Sequence, residues 1–229
     1  MLQRILLTAV IAGFVAGISV SLIQMVRVIP LIELAESAET ATHAHQANAR
    51  EGENEGQQGH DHDGALTPQD GLQRTAFTFL VNSIAGVGFG LLLAAAFTLR
   101  GAPLNIGQGV LWGIAGFAVF SLAPALGLPP SPPGISKAPL IDRQTWWLGT
   151  AAATGLGLAM AVFAKAWAYK ALGALFIMAP HIIGAPVPDA LTSSGLAAMG
   201  EFAVASLTAT GIFWIVLGGF SGFLFRRFA

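Results

Sequence analysis

Five long apolar stretches, separated by polar segments, constrain what this chain can fold into. The first covers residues 5–26 and contains no charged residue. At 1.5 Å of rise per helical residue, about 20 residues cross the hydrocarbon core of a bilayer, which is about 30 Å thick. The other four stretches cover residues 75–99, 108–126, 145–164 and 202–225. The pattern predicts an all-α fold, a polytopic transmembrane helical bundle.

The composition agrees with a membrane protein. Hydrophobic residues make up 54% of the chain and charged residues only 10%, whereas a soluble domain has about 25% charged residues. So much apolar surface has to meet lipid. The first stretch could instead be a cleaved signal peptide, but the apolar region of a signal peptide has only about 7–15 residues. We therefore expect the first stretch to be a membrane span.

A shorter apolar segment covers residues 171–183 and contains Pro180. It is short for an ordinary span, so it is either a re-entrant or broken helix or a short sixth crossing. Residues 1–229 are therefore expected to form a single membrane domain, with five long spans and one short broken or re-entrant apolar segment.

The distribution of Lys and Arg bears on the number of crossings, because cytoplasmic segments carry an excess of both. Six crossings with the N-terminus inside place six of the eleven basic residues on the inner side: Arg4, Arg100, Lys165, Lys170, Arg226 and Arg227. With five crossings, Arg226 and Arg227 move outside and only four remain inside. We therefore favour six crossings. Five crossings with the N-terminus outside remain open.

Pairs of glycines recur at four-residue spacing within the predicted spans. They are Gly13/Gly17, Gly86/Gly90, Gly109/Gly113 and Gly218/Gly222. Small residues at this spacing allow helix backbones to approach closely. The pairs predict a tightly packed bundle or a homo-oligomer, and by themselves they do not indicate transport.

A polar insertion, residues 34–73, separates the first two spans, and we expect it to be largely disordered in isolation. It contains four of the five histidines, and nine of the twelve acidic residues lie within residues 33–70. Imidazole and carboxylate groups are ligands for divalent transition metals. The candidate metal ligands are His43, His45, His60, Asp61, His62 and Asp63. The alternative is a solvated polar segment that happens to contain histidines.

Several polar groups lie at or near membrane depth, where ionisable residues are costly and usually face a polar path or a partner. We interpret five of them as candidate path residues: Glu33, Glu36, Asn82, His181 and Glu201. Pro180 and Gly184 beside His181 would expose backbone carbonyls, as in the broken helices of transporters. Two alternatives remain open: Glu201 could cap the N-terminus of the last span, and His181 could be a satisfied structural histidine.

The motif inventory does not favour catalysis. The chain has no cysteine, no phosphate-binding loop, no nucleophile elbow and no His-Glu-x-x-His helix. It also has no basic cluster of the kind that binds nucleic acid. We expect a protein that is not an enzyme, has no tightly bound cofactor and does not bind nucleic acid.

Four stretches together resemble the CbtA-type predicted cobalt transporter subunit family. They are Pro30-Leu31-Ile32-Glu33-Leu34-Ala35-Glu36, the proline-rich segment from Leu128 to Gly134, Arg143-Gln144-Thr145-Trp146-Trp147, and Ala179-Pro180-His181-Ile182-Ile183-Gly184-Ala185-Pro186. The resemblance extends over essentially the whole chain. It implies a multi-pass protein of the bacterial inner membrane with five spans. It also implies Co²⁺ uptake linked to cobalamin biosynthesis, together with a small single-span, histidine-bearing subunit of the CbtB type.

Two other functions remain as alternatives. The first is a non-conducting membrane scaffold or assembly subunit with a metal-binding loop, which the glycine pairs fit equally well. The second is a membrane enzyme or metallochaperone, which would hold a metal tightly within the bundle. The sequence favours the transport subunit.

Overall fold

The computed structural model describes residues 2–37, 71–101, 104–135, 137–187 and 193–228. Within these ranges the chain is almost entirely helical and contains no strand. We number the main helices α1 Leu2–Arg27, α2 Gly71–Arg100, α3 Ile106–Gly127, α4 Leu140–Phe163, α5 Trp167–Ile183 and α6 Ser193–Arg227. The predicted all-α membrane bundle is confirmed, and the five predicted long spans correspond to α1, α2, α3, α4 and α6.

The helices extend beyond the apolar stretches. The largest difference is at α6, which begins at Ser193 although its apolar stretch begins at residue 202. Residues 29–37 are also helical, directly after a turn at Val28. Residues 34–37 and 71–73, at the two edges of the predicted polar insertion 34–73, are therefore helical. The candidate metal ligands of this insertion, including His43 and His62, lie outside the described residues.

The short apolar segment forms α5, a single helix that packs along α4. Pro180 lies in the last turn of α5, and the helix ends at Gly184, whose φ of 91° is favourable only for glycine. The two helices run antiparallel, since Gly157 faces Gly173 at one level and the ring of Trp146 lies 6.0 Å from that of His181 at another. We call this pair the α4–α5 hairpin.

The start of α1 lies beside the end of α6. Arg4 Nε donates a hydrogen bond to the carbonyl oxygen of Phe225 at 2.7 Å, and the guanidinium lies 3.7 Å from the centre of the Phe225 ring. Five crossings would place these helix ends on opposite sides of a membrane. The contact therefore implies an even number of crossings, in agreement with the favoured six. The helix that would supply the sixth crossing is α5, which is about 26 Å long at about 1.5 Å per residue and is shorter than the five candidate spans. We call the side on which α1 ends the loop face.

The glycine pairs join the helices two by two. Gly13 and Gly86 bring α1 and α2 together so closely that a Cβ on either residue would overlap the other's backbone. In the same way, Gly109 of α3 faces Gly218 of α6. With no charged group at these contacts, packing in lipid depends on this close van der Waals fit. The predicted role of the pairs in helix packing is thus confirmed.

An aromatic cluster connects α2, α3 and α6. Trp214 of α6 is only 2% exposed, stacks on Phe120 with 5.8 Å between ring centroids, and lies 4.8 Å from the ring of Phe89. Phe120 belongs to a π-helical turn, Ala118–Leu122, just before Pro124. Because proline lacks an N–H and crowds the carbonyl four residues earlier, the wider turn accommodates it within the span.

Candidate functional site

An ion pair lies where the polar insertion leaves the membrane domain. The two terminal nitrogens of the Arg74 guanidinium, Nη1 and Nη2, each donate a hydrogen bond to one carboxylate oxygen of Glu36, at 3.1 and 2.8 Å. This bidentate pair joins helical residues 29–37 to the first turn of α2. Both side chains are more than a third exposed, so the pair contributes little to the stability of the fold. Its effect is to hold residues 29–37 against the start of α2. Glu33 lies one turn earlier and is exposed.

An amide cluster lies deeper between α1 and α2. Asn82 Nδ2 donates to Gln24 Oε1 at 2.6 Å and to Ser21 Oγ at 3.0 Å. Asn82 follows Arg74 by two helical turns, which is about 12 Å along the axis. The side-chain oxygens of Ser21 and Gln24 on α1 therefore meet the amide group of Asn82 on α2 below the loop face, within apolar spans. Such oxygens can act as weak cation ligands.

Glu201 does not lie at a helix end. Because α6 begins at Ser193, Glu201 occupies the third turn of the helix, and its side chain is exposed. The interpretation of Glu201 as an N-terminal cap is therefore wrong: the helix continues through the Gly- and Ala-containing residues before it. Glu201 lies near the loop face, because α6 ends beside the start of α1 and its first turns therefore lie on the side where α1 ends.

His181 lies at the loop-face end of the α4–α5 hairpin. Its Nε2 atom is buried and has no hydrogen-bond partner among the described residues. The ring lies nearly perpendicular to that of Trp146, whose Nε1 is likewise buried and unpaired in this part of the chain. Trp146 also packs on Gly127 at the end of α3. His181 therefore does not have the partners expected of a satisfied structural histidine.

The five predicted path residues thus fall into separate groups. Glu36 is joined to Arg74 and Asn82 to α1, whereas the contact of His181 is with Trp146 in a different helix pair. Sequence reasoning missed Ser21, Gln24 and Arg74, because residues 38 or more positions apart can be paired only in a fold. The described residues contain no group of three or more His, Asp or Glu side chains suited to hold a metal.

A cavity of about 650 Å³ lies between α2, α3 and α4, on the opposite side of the aromatic cluster from α1. Its walls are apolar, with side chains such as Leu93, Trp112 and Phe163, and its polar groups are Arg100 and Gln108. A divalent cation would lose its hydration there without gaining ligands, and it would meet a positive charge. The cavity is therefore not suited to carry a cation.

Comparison with known proteins agrees with this architecture. The sequence profile of one family, described as probable cobalt transporter subunit (CbtA), matches residues 2–226 of the 229-residue chain. Neither a curated protein nor a solved structure matches the chain significantly. The match includes all six helices as well as the polar insertion. The chain therefore belongs to the CbtA family of probable cobalt transporter subunits.

Proposed function

We propose that this protein takes Co²⁺ into the cell across the bacterial inner membrane and supplies it to cobalamin biosynthesis. The family supports a role as a transport subunit. The five long apolar helices support a multi-pass membrane protein. The structural observation that carries the finer proposal is the amide cluster of Asn82, Gln24 and Ser21. It places polar oxygens of α1 against the amide of Asn82 on α2, and the described residues next to the insertion, 37 and 71, lie on the same side of the bundle.

Capture and passage are separate steps in this mechanism. The imidazoles of His43, His45, His60 and His62, with Asp61 and Asp63, collect the ion, since borderline divalent metals bind nitrogen and carboxylate ligands. The carboxylates of Glu33 and Glu36 attract it towards the membrane domain. An ion in transit must exchange water for protein ligands that also release it. The amide oxygens of the cluster meet that requirement better than a closed cage of charged ligands.

A partner completes the transporter in this proposal. The family description calls its members subunits, which implies at least one further chain. We propose a small, single-span, histidine-bearing subunit of the CbtB type, which would receive or pass on the ion at the membrane surface. Metal held by such a partner would compensate for the scarcity of histidine within the described spans.

Removing the loop histidines tests the capture step. Replacing His43, His45, His60 and His62 together by alanine should raise the Co²⁺ concentration for half-maximal uptake about tenfold, because the insertion loses its imidazole ligands and holds the ion less tightly. The maximal rate should be unchanged. The matched control replaces Gln46, Asn48, Gln57 and Gln58 by alanine, which removes four neutral polar side chains from the same insertion. If uptake also vanished at saturating Co²⁺, the histidines would belong to the path and not to a capture region.

The scaffold alternative predicts a different result. Reconstituted into vesicles with its partner, a scaffold without a path of its own would give no flux beyond that of the partner alone. A conducting subunit would add saturable Co²⁺ flux. Flux in vesicles therefore distinguishes a conducting subunit from a scaffold.

A further inference from the structure

The α4–α5 hairpin holds four buried polar atoms without a partner. Among the described residues, six buried side-chain nitrogen or oxygen atoms have no hydrogen bond, and four belong to this hairpin: Trp146 Nε1, Thr150 Oγ1, Thr154 Oγ1 and His181 Nε2. Buried polar groups are nearly always paired, because an unpaired one loses its hydrogen bonds to water without replacement. These four atoms are therefore groups that a polar ligand between α4 and α5 would satisfy.

The two threonines differ from other threonines in the spans. Thr78, Thr98 and Thr210 each donate to the carbonyl oxygen four residues earlier in their own helix. This local bond is the usual way to satisfy a hydroxyl in an apolar helix. Thr150 and Thr154 are 0% and 3% exposed and make no such bond. Their hydroxyls are therefore available to a group between the helices.

Helical spacing directs these hydroxyls towards α5. Trp146, Thr150, Thr154 and Gly157 follow one another at intervals of three or four residues, so they form one stripe along α4. The two ends of that stripe contact α5, since Gly157 meets Gly173 and Trp146 meets His181. Because both ends face α5, the two threonines between them face α5 as well.

Pro180 adds a further acceptor on the opposite side. It is buried in α5 and has no N–H, so it cannot donate to the carbonyl oxygen of Phe176 four residues earlier. The antiparallel register places this carbonyl between the Gly157–Gly173 contact and the Trp146–His181 contact, at the level of the threonines. The hairpin thus combines two hydroxyl oxygens, one backbone carbonyl oxygen and one imidazole nitrogen.

We propose that the α4–α5 hairpin contains a weak binding site for a divalent transition-metal cation, with Thr150, Thr154, the Phe176 carbonyl and His181 as its ligands. This proposal rests on the proposed transport function. It adds two residues of α4 to His181, which the sequence predicts as a path residue. Trp146 is not a ligand, because its indole N–H only donates. It packs against His181 and limits the rotation of the imidazole.

The ligand set explains why such a site would bind weakly. Neutral oxygens and one imidazole replace part of a hydration shell without bringing a negative charge into the membrane. Tight transition-metal sites use several thiolate, imidazole or carboxylate ligands, and no group of three or more such residues occurs in the described part of the chain. Weak binding is what allows an ion to leave again.

Replacing both threonines by valine tests the site directly. The background is the full-length chain with all six candidate ligands of the insertion replaced by alanine, so that ⁵⁷Co²⁺ bound in equilibrium dialysis does not come from these residues. They are His43, His45, His60, Asp61, His62 and Asp63. Thr150→Val/Thr154→Val should reduce the bound cobalt by about tenfold or more, as expected when ligands are lost. Thr150→Ser/Thr154→Ser, which keeps both hydroxyls, should restore binding. Thr8→Val is the matched control, because Thr8 is also buried and unpaired but lies on α1.

Thermal stability without metal separates a ligand role from a structural one. An unpaired buried hydroxyl destabilises the fold, so both valine variants should melt at or above the temperature of the parent chain. If the Thr150/Thr154 variant bound as much cobalt as the Thr8 control, or if no cobalt bound to the parent chain up to millimolar concentrations, the site would be refuted. Cobalt bound through the hairpin in a chain that gives no uptake would instead overturn the proposed function and leave the site intact.

Discussion

Gly86→Val is expected to separate α1 from α2 and to remove most of the folded protein from the membrane. A Cβ on Gly86 would overlap the carbonyl oxygen of Gly13 and lie 2.9 Å from its carbonyl carbon. Both are backbone atoms, so no side chain can rotate away to make room. Overfilling a packed contact usually costs about 1–3 kcal/mol, and here the cost should exceed that range because two helices have to move apart.

Gly88→Val provides the matched control on the same helix. No atom lies within 4 Å of a Cβ built on Gly88, so this variant changes the helix propensity equally without touching α1. The measurement is the amount of monodisperse protein after detergent extraction, together with its melting temperature. If the Gly86 and Gly88 variants gave equal yields and melting temperatures, the α1–α2 contact would not be as close as described.

Trp214→Ala is expected to destabilise the bundle by about 3 kcal/mol. The indole is nearly fully buried, contacts the rings of Phe89 and Phe120, and donates from Nε1 to Ser121 Oγ at 3.3 Å. Truncating a buried Trp in a soluble core costs about 3–5 kcal/mol. The lower end of this range applies in lipid, because helix association there does not transfer the indole out of water. The substitution removes only the packing contacts and the hydrogen bond of Trp214.

Trp167→Ala separates the effect of burial from that of losing a tryptophan. Trp167 begins α5 and is 80% exposed, so its truncation should leave the unfolding free energy in mild detergent almost unchanged. Equal destabilisation by the two substitutions would contradict the central position of Trp214.

The spans could be predicted from the sequence because a charge-free run of about 20 residues has few stable alternatives to a membrane helix. Which helices pair could not be predicted. Gly13/Gly17 and Gly109/Gly113 have the same pattern, yet one faces α2 and the other faces α6. Whether residues 171–183 form one continuous helix could not be predicted, because a proline within an apolar segment suggests a break. Only the fold shows that Pro180 lies in the last turn of α5.

The candidate site could be predicted only in part. Asn82 is recognisable as an amide in an apolar run, but its partners on α1 are about 60 positions away and depend on the register of two helices. Thr150 and Thr154 resemble other threonines in the sequence. Only the structure shows that their hydroxyls do not bond to their own helix.

Uptake of radiolabelled Co²⁺ tests the central proposal most directly. Cells would express this chain with and without the proposed small single-span partner, with Ni²⁺ and Zn²⁺ as competitors and with the protein confirmed in the membrane by blotting. The proposal predicts saturable uptake above the vector control, inhibited most strongly by unlabelled Co²⁺. Uptake no greater than that of the vector control, with both chains present in the membrane, would contradict the transport role and favour the scaffold.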